Sequence, residues 1–234
     1  MINQLKTGNN TEKETTRIEA FSDGVFAIAI TLLILELIEF LHSSNEEGLL
    51  ELLLNHWESF LAFVVGFFTI LVCWINHHLV YNYIKKIDSN LVWVNGFVLL
   101  VVTFTPFPTA VLSQYLLKEP NLAVGVFGIN YFLMSLVAYN ITAYSYNKHL
   151  VDEDSLELYY RFKLLYRWVS VYTFVVLFLC FVSVTLALIL YCLMFAFMAF
   201  PKETSRFFFS NKIDKGRNPQ KRKKVKLRTR VSVK

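Results

Sequence analysis

The chain has 234 residues, of which 55% are hydrophobic and 18% charged, and its mean hydropathy is +0.45. A soluble domain carries nearer a quarter of charged residues to solvate its surface, so the composition excludes an ordinary soluble fold. The 22 Phe and the other apolar residues come in long blocks, which excludes the short alternating strands of a membrane β-barrel and suits lipid-spanning helices of roughly 20 residues.

The predicted spans are 20–41, 57–82, 91–117, 121–147 and a long block at 164–200. That block is too long for one span, and it is divided near Val182–Ser183 into two short spans joined by a tight turn. An all-α integral membrane protein of six helices is expected. Its organisation reads as an N-terminal extension at 1–16, a six-helix membrane domain at 17–201 and a basic, disordered tail at 202–234.

Helix 1 begins Arg17-Ile18-Glu19-Ala20-Phe21-Ser22-Asp23-Gly24 and continues in Ala, Ile, Thr and Leu. An acid inside an apolar helix costs about 2.5–3.5 kcal/mol on insertion scales and calls for a partner. Arg17 lies six residues earlier, about 240° round the helix, so Asp23 must look to another helix. The apolar block also holds Glu36 and lacks an obvious small-residue cleavage site, so it is read as a retained span and not a cleaved signal. The following loop, 42–56, contains Glu46, Glu47 and Glu51 and no Lys or Arg.

Helix 2 closes on Trp74-Ile75-Asn76-His77-His78. Trp74 and His77 share a face, whereas His77 and His78 point about 100° apart. No acid or Cys stands at ligand spacing, so no metal site is expected. Helix 3 opens on Trp93-x-Asn95 and carries Thr105-Pro106-Phe107-Pro108-Thr109 near its far end, where Pro106 and Pro108 are candidates for a helix break. Cys73, Cys180 and Cys192 all sit inside apolar blocks, as small core residues and not a disulfide framework.

Lys6, Lys13, Arg17, Lys85, Lys86, Lys148, Arg161, Lys163 and Arg167 fall in one set of connections, opposite the acidic loop. The tail from 202 adds 13 Lys or Arg against Glu203 and Asp214. Basic loops stay inside, which places both termini in the cytoplasm, requires an even number of spans and predicts a multi-pass cell-membrane protein. Residues 210–234 contain no aromatic side chain. The run Lys221-Arg222-Lys223-Lys224 therefore suits the anionic leaflet better than nucleic acid, which wants a stacking platform.

Arg17-x-x-x-Phe21-Ser22-Asp23, the Trp74–His78 run, Trp93-x-Asn95 and Thr105–Thr109 stand in order along the chain. Together they resemble the signature of the transmembrane protein 175 potassium channels in their single-repeat prokaryotic form. The resemblance implies a homotetrameric, modestly potassium-selective channel without a carbonyl filter loop, in which helix 1 of each subunit lines a central pore. No cofactor is implied, the permeant ion being potassium. The matching constriction positions are Ile28, Leu32 and Leu35, with Thr31 beside them. On a helical wheel these four share one face, and Asp23 lies about 220° from Ile28. Glu36 and Glu39 are candidates for an acidic outer mouth. The resemblance further implies a structural polar lock made by Arg17, Phe21, Ser22, Asp23, Trp74, Asn76 and His77.

The alternative on the same helices is a proton-permeable or proton-coupled transporter, which calls for a broken helix at mid-membrane. No span carries Arg or Lys at every third position, so a voltage sensor is not expected. Nor is an enzyme: the chain has no metalloprotease, nucleophile-elbow or phosphate-loop motif.

Overall fold

The computed structural model describes the backbone of residues 2–43 and 48–214, with side chains at 15–38 and 48–209. Ten α-helices follow one another among these residues: α1 (Ile2–Leu32), α2 (Ile34–Ser43), α3 (Leu49–Asn55), α4 (Trp57–Tyr81), α5 (Ser89–Phe104), α6 (Pro106–Tyr115), α7 (Pro120–Asn147), α8 (Leu156–Leu179), α9 (Val184–Met198) and α10 (Pro201–Asp214). They make five continuous apolar spans, Thr15–Ile38, Trp57–Tyr81, Ser89–Tyr115, Pro120–Asn147 and Glu153–Leu179. The bent pair Val184–Met198 and Pro201–Phe209, which meet at 98°, makes a sixth apolar stretch when its two helices are taken together.

Two of the five continuous spans are built from pairs of helices, α1 with α2 and α5 with α6, and each break has a local cause. Pro106 has no N–H to give the Val102 carbonyl, and the Thr105 amide takes that carbonyl instead at 3.1 Å. Thr109 Oγ1 then donates to the Thr105 carbonyl at 2.9 Å, and Asn130 Nδ2 of α7 donates to Thr105 Oγ1 at 3.2 Å. The break at Leu33 is a single tightened turn, its amide donating to the Ile30 carbonyl at 3.3 Å.

α7 is the centre of the bundle, packed by α5, α6 and α8, while α1 rests on α4 and α5. Close approach of α4 to α6 depends on Gly66. A Cβ there would lie 2.8 Å from Thr109 Cγ2 and 3.2 Å from Leu33 Cδ2.

Three boundaries differ from the sequence expectation. α8 starts at Leu156 and not near 164, because its first turns are polar and held by a Glu157–Arg161 pair at 2.8 Å. The division near Val182–Ser183 stands, with Ser183 Oγ accepting from the Leu186 amide at 3.3 Å to start α9. The tail expected to be disordered from 202 is helical as far as Asp214, and residues 215–234 lie outside the described residues. At the other end the extension before Arg17 continues α1 as helix back to Ile2.

Candidate functional site

The span Thr15–Ile38, made by α1 and the start of α2, has two faces of opposite character. Ser22, Phe26, Ala29 and Leu33, spaced by four, three and four residues, are at most 1% exposed and form its buried stripe. The other side stays open: Ile28 is 60% exposed, Leu35 55% and Leu32 43%, and Thr31 lies exposed among them. The four positions expected at the constriction thus form one uncovered apolar strip on a single chain. Thr31 Oγ1 donates to the Ile28 carbonyl at 2.9 Å, which leaves its oxygen lone pairs free to face a cation. Glu36 is half-buried, and the side chain of Glu39 lies outside the described residues.

The buried stripe is anchored by a directional chain of hydrogen bonds at the start of the span. Ser22 Oγ donates to the Ile18 carbonyl at 2.8 Å and accepts from Asn95 Nδ2 of α5 at 3.0 Å. Asn95 Oδ1 in turn accepts from His77 Nε2 of α4 at 2.8 Å. Ser22, Asn95 and His77 are all buried, so each bond replaces water that none of them can reach. The His77 ring is clasped by Phe26, centroids 5.3 Å apart, and by Tyr81 at 4.5 Å. Next to this chain Trp74 Nε1 donates to Asp23 Oδ1 at 2.8 Å, and the indole stacks on His78 at 5.9 Å. Asp23 therefore finds its partner on another helix while remaining exposed on the single chain.

The expected lock is drawn more widely than the structure draws it. Arg17 is exposed and makes no ion pair with Asp23 among the described residues, and Phe21, 66% exposed, packs outward. Asn76 leaves the group altogether. It sits about 100° from His77 on α4, and its amide donates to the Val72 and Met198 carbonyls at 2.7 and 2.9 Å. Its oxygen accepts from Tyr166 Oη at 2.7 Å, so Asn76 joins α4 to α8 and α9. Asn95, named in the sequence only as a landmark, is the residue that links Ser22 to His77. The signal for it was an Asn inside an apolar helix, a polar group that needs a partner there. No group of three or more His, Cys, Asp or Glu able to hold a metal occurs among the described residues.

This arrangement defines a class: a multi-pass helical membrane protein with one peripheral span, open on an apolar face and tied to its bundle by buried polar bonds. Residues 17–106 match the family model described as Endosomal/lysosomal potassium channel TMEM175. A crystal structure described as a lysosomal potassium-selective channel TMEM175 homolog from Chamaesiphon minutus superposes with TM-score 0.70 at 33% identity, covering 81% of this chain and 98% of that one. The chain belongs to the TMEM175 family. A protein of the same organism named as a potassium channel is 46% identical over 131 residues, 55% of this chain and 64% of its own length. One of Streptomyces collinus, also named as a potassium channel, is 43% identical over 125 residues, 53% of this chain and 60% of its own. The matched stretch thus spans just over three fifths of the length of these curated relatives.

Proposed function

We propose that four copies of this chain assemble around their α1 helices into a potassium-selective cation channel of the cell membrane, with both termini cytoplasmic. The observation that carries the reading is the uncovered strip of Ile28, Thr31, Leu32 and Leu35 on a helix whose other side is fixed by buried hydrogen bonds. An apolar strip on a lipid-immersed helix gains nothing by itself. Four-fold symmetry turns each position into a ring. A narrow apolar ring disfavours water, gates by dewetting and makes ions shed hydration. Potassium holds its water less tightly than sodium and passes more readily, with selectivity below that of carbonyl rings because only the Thr31 hydroxyl replaces lost water. In this reading Ile28, Leu32 and Leu35 form the constriction, Glu36 and Glu39 stand toward the outer mouth, and Ser22, Asp23, Asn95, Trp74 and His77 hold α1 in register. No cofactor enters, and the chain conducts and does not catalyse.

The names of the two bacterial relatives support conduction of potassium. Those of vertebrate relatives, proton channels of the same family, support proton passage through the same scaffold. The Pro106 break supports a channel over a transporter. Thr109 and Asn130 are both hydrogen-bonded to Thr105 across that break. Ion flux from proteoliposomes of the purified full chain is the deciding measurement, with potassium and sodium gradients in parallel and a pH dye inside. Fast flux favouring potassium is expected. Saturable flux that requires a proton gradient would overturn the channel reading.

A further inference from the structure

A second feature lies away from α1, between α8, α9 and α10. These helices wall a groove of about 1010 Å³, lined by apolar side chains that include Trp168, Val171, Val175, Leu193, Phe197 and Phe208. It is at the upper end of the roughly 300–1,000 Å³ usual for small-ligand sites. α1 packs mainly on α4 and α5, so the strip that would line the pore and this groove occupy different sides of the chain.

The groove's end is fixed and its depth can be read. Asn76 binds the Met198 carbonyl and Tyr166 Oη together, which sets the end of α9 level with Tyr166 on α8. Thr204 Oγ1 donates to the Phe197 carbonyl at 2.7 Å and holds the 98° turn into α10. α10 consequently runs across the direction of α9, as a helix lying in the membrane surface does. Phe207, 83% exposed, and Phe208, 56% exposed, project from it. Arg167 and Trp168 follow Tyr166 immediately and are exposed, an Arg–Trp pair of the kind that marks the headgroup level. Lys202 and Arg206 are exposed on α10, with Lys202 Nζ 6.0 Å from the Tyr83 ring centroid and Glu203 the one acid beside them. Beyond α10, residues 215–234 carry ten Lys or Arg and no acid.

We propose that this groove binds an acyl chain of an anionic phospholipid, with the phosphate held at its mouth by Arg167 and Arg206. The apolar walls take the chain, the interfacial helix closes the end, and the guanidinium groups match phosphate oxygens in bidentate geometry. The charge of segment 215–234 raises the local concentration of anionic lipid. The proposal does not depend on which ion the protein conducts.

The test is native mass spectrometry of the delipidated full chain, titrated with phosphatidylglycerol and with phosphatidylcholine of the same acyl chains. Phosphatidylglycerol is expected to be retained at least about ten-fold better. Arg167→Gln with Arg206→Gln should bring the two lipids within about two-fold of each other. Val175→Trp should reduce retention of both, and Leu193→Trp, on the α9 wall, replaces it if the first variant does not fold by circular dichroism. Equal retention of the two lipids by the unaltered chain overturns the proposal. So does loss of the preference on deleting 215–234 while the double Arg variant keeps it, which assigns the lipid to the tail. A Val175→Trp chain that changes subunit stoichiometry but not lipid retention makes the groove a contact between copies, and the proposal fails.

Discussion

α1 and α7 are comparable in length and both pass through the membrane, yet the fold uses them differently. In the most apolar stretch of α7 half the residues are buried, against 22% in the span that contains α1. α7 is held by packing on α5, α6 and α8. α1 is held by a few polar bonds at one end and by one narrow stripe. Hydropathy treats these helices alike. What separates them is whether the second face has a partner within the chain, and a helix lacking one is where association with further copies adds most.

The contrast can be broken most severely in the packed half. Gly66→Leu drives a side chain into Thr109 and Leu33, where even a Cβ lies 2.8 Å from Thr109. It should cost about 1–3 kcal/mol or more by overpacking, read as loss of the monodisperse peak in size-exclusion chromatography. At Gly24, on α1, an added Cβ meets nothing within 4 Å, and Gly24→Ala should leave that peak in place.

Next in size is the anchor of α1. Asn95→Leu strands the buried Ser22 and His77 groups, and about 1–3 kcal/mol should be lost, seen as a lower melting temperature in detergent. An unchanged melting temperature would show that the chain of bonds does not hold α1.

On the open strip the effect should move from stability to permeation. Ile28→Asn is expected to melt within a few degrees of the parent, because the position is 60% exposed, while its potassium-over-sodium ratio falls several-fold in bi-ionic reversal potentials. An unchanged reversal potential removes Ile28 from the constriction. The smallest change is Thr31→Val, which deletes one hydroxyl per subunit and its 2.9 Å bond to the Ile28 carbonyl. Single-channel conductance should shift by less than about two-fold, with stability altered by under about 1 kcal/mol, as for an exposed hydrogen bond.

Much of this was legible in the sequence for identifiable reasons. Five apolar blocks located the spans, and the division of the last near Val182–Ser183 followed from its length. The i,i+3 spacing of Trp74 and His77 put both on one face of α4, and they bond Asp23 of α1 and Asn95 of α5. Adjacent residues are another matter. Asn76 belongs to the same five-residue run, but one step of the helix turns it to α8 and α9, and no pattern within α4 says which helices those are. The start of α8 was hidden because Glu157, Arg161 and Lys163 depress hydropathy in a stretch that is helical all the same. The extent of α10 was hidden by Lys202, Glu203 and Arg206, which end the apolar block while the helix goes on.

The neighbours Asn76 and His77 carry a consequence for how the protein is made. His77 finds Asn95, only 18 positions ahead, whereas Asn76 waits for Met198, 122 positions ahead. At the usual ribosomal pace of about 5–20 residues per second, the second partner emerges roughly 5–20 s after the first. The first three spans can therefore close their polar knot while the rest of the polypeptide is still being translated. The Asn76 amide meanwhile sits in the bilayer without its final carbonyl, a nascent state that insertion factors have time to shield and that ends only when the last span arrives.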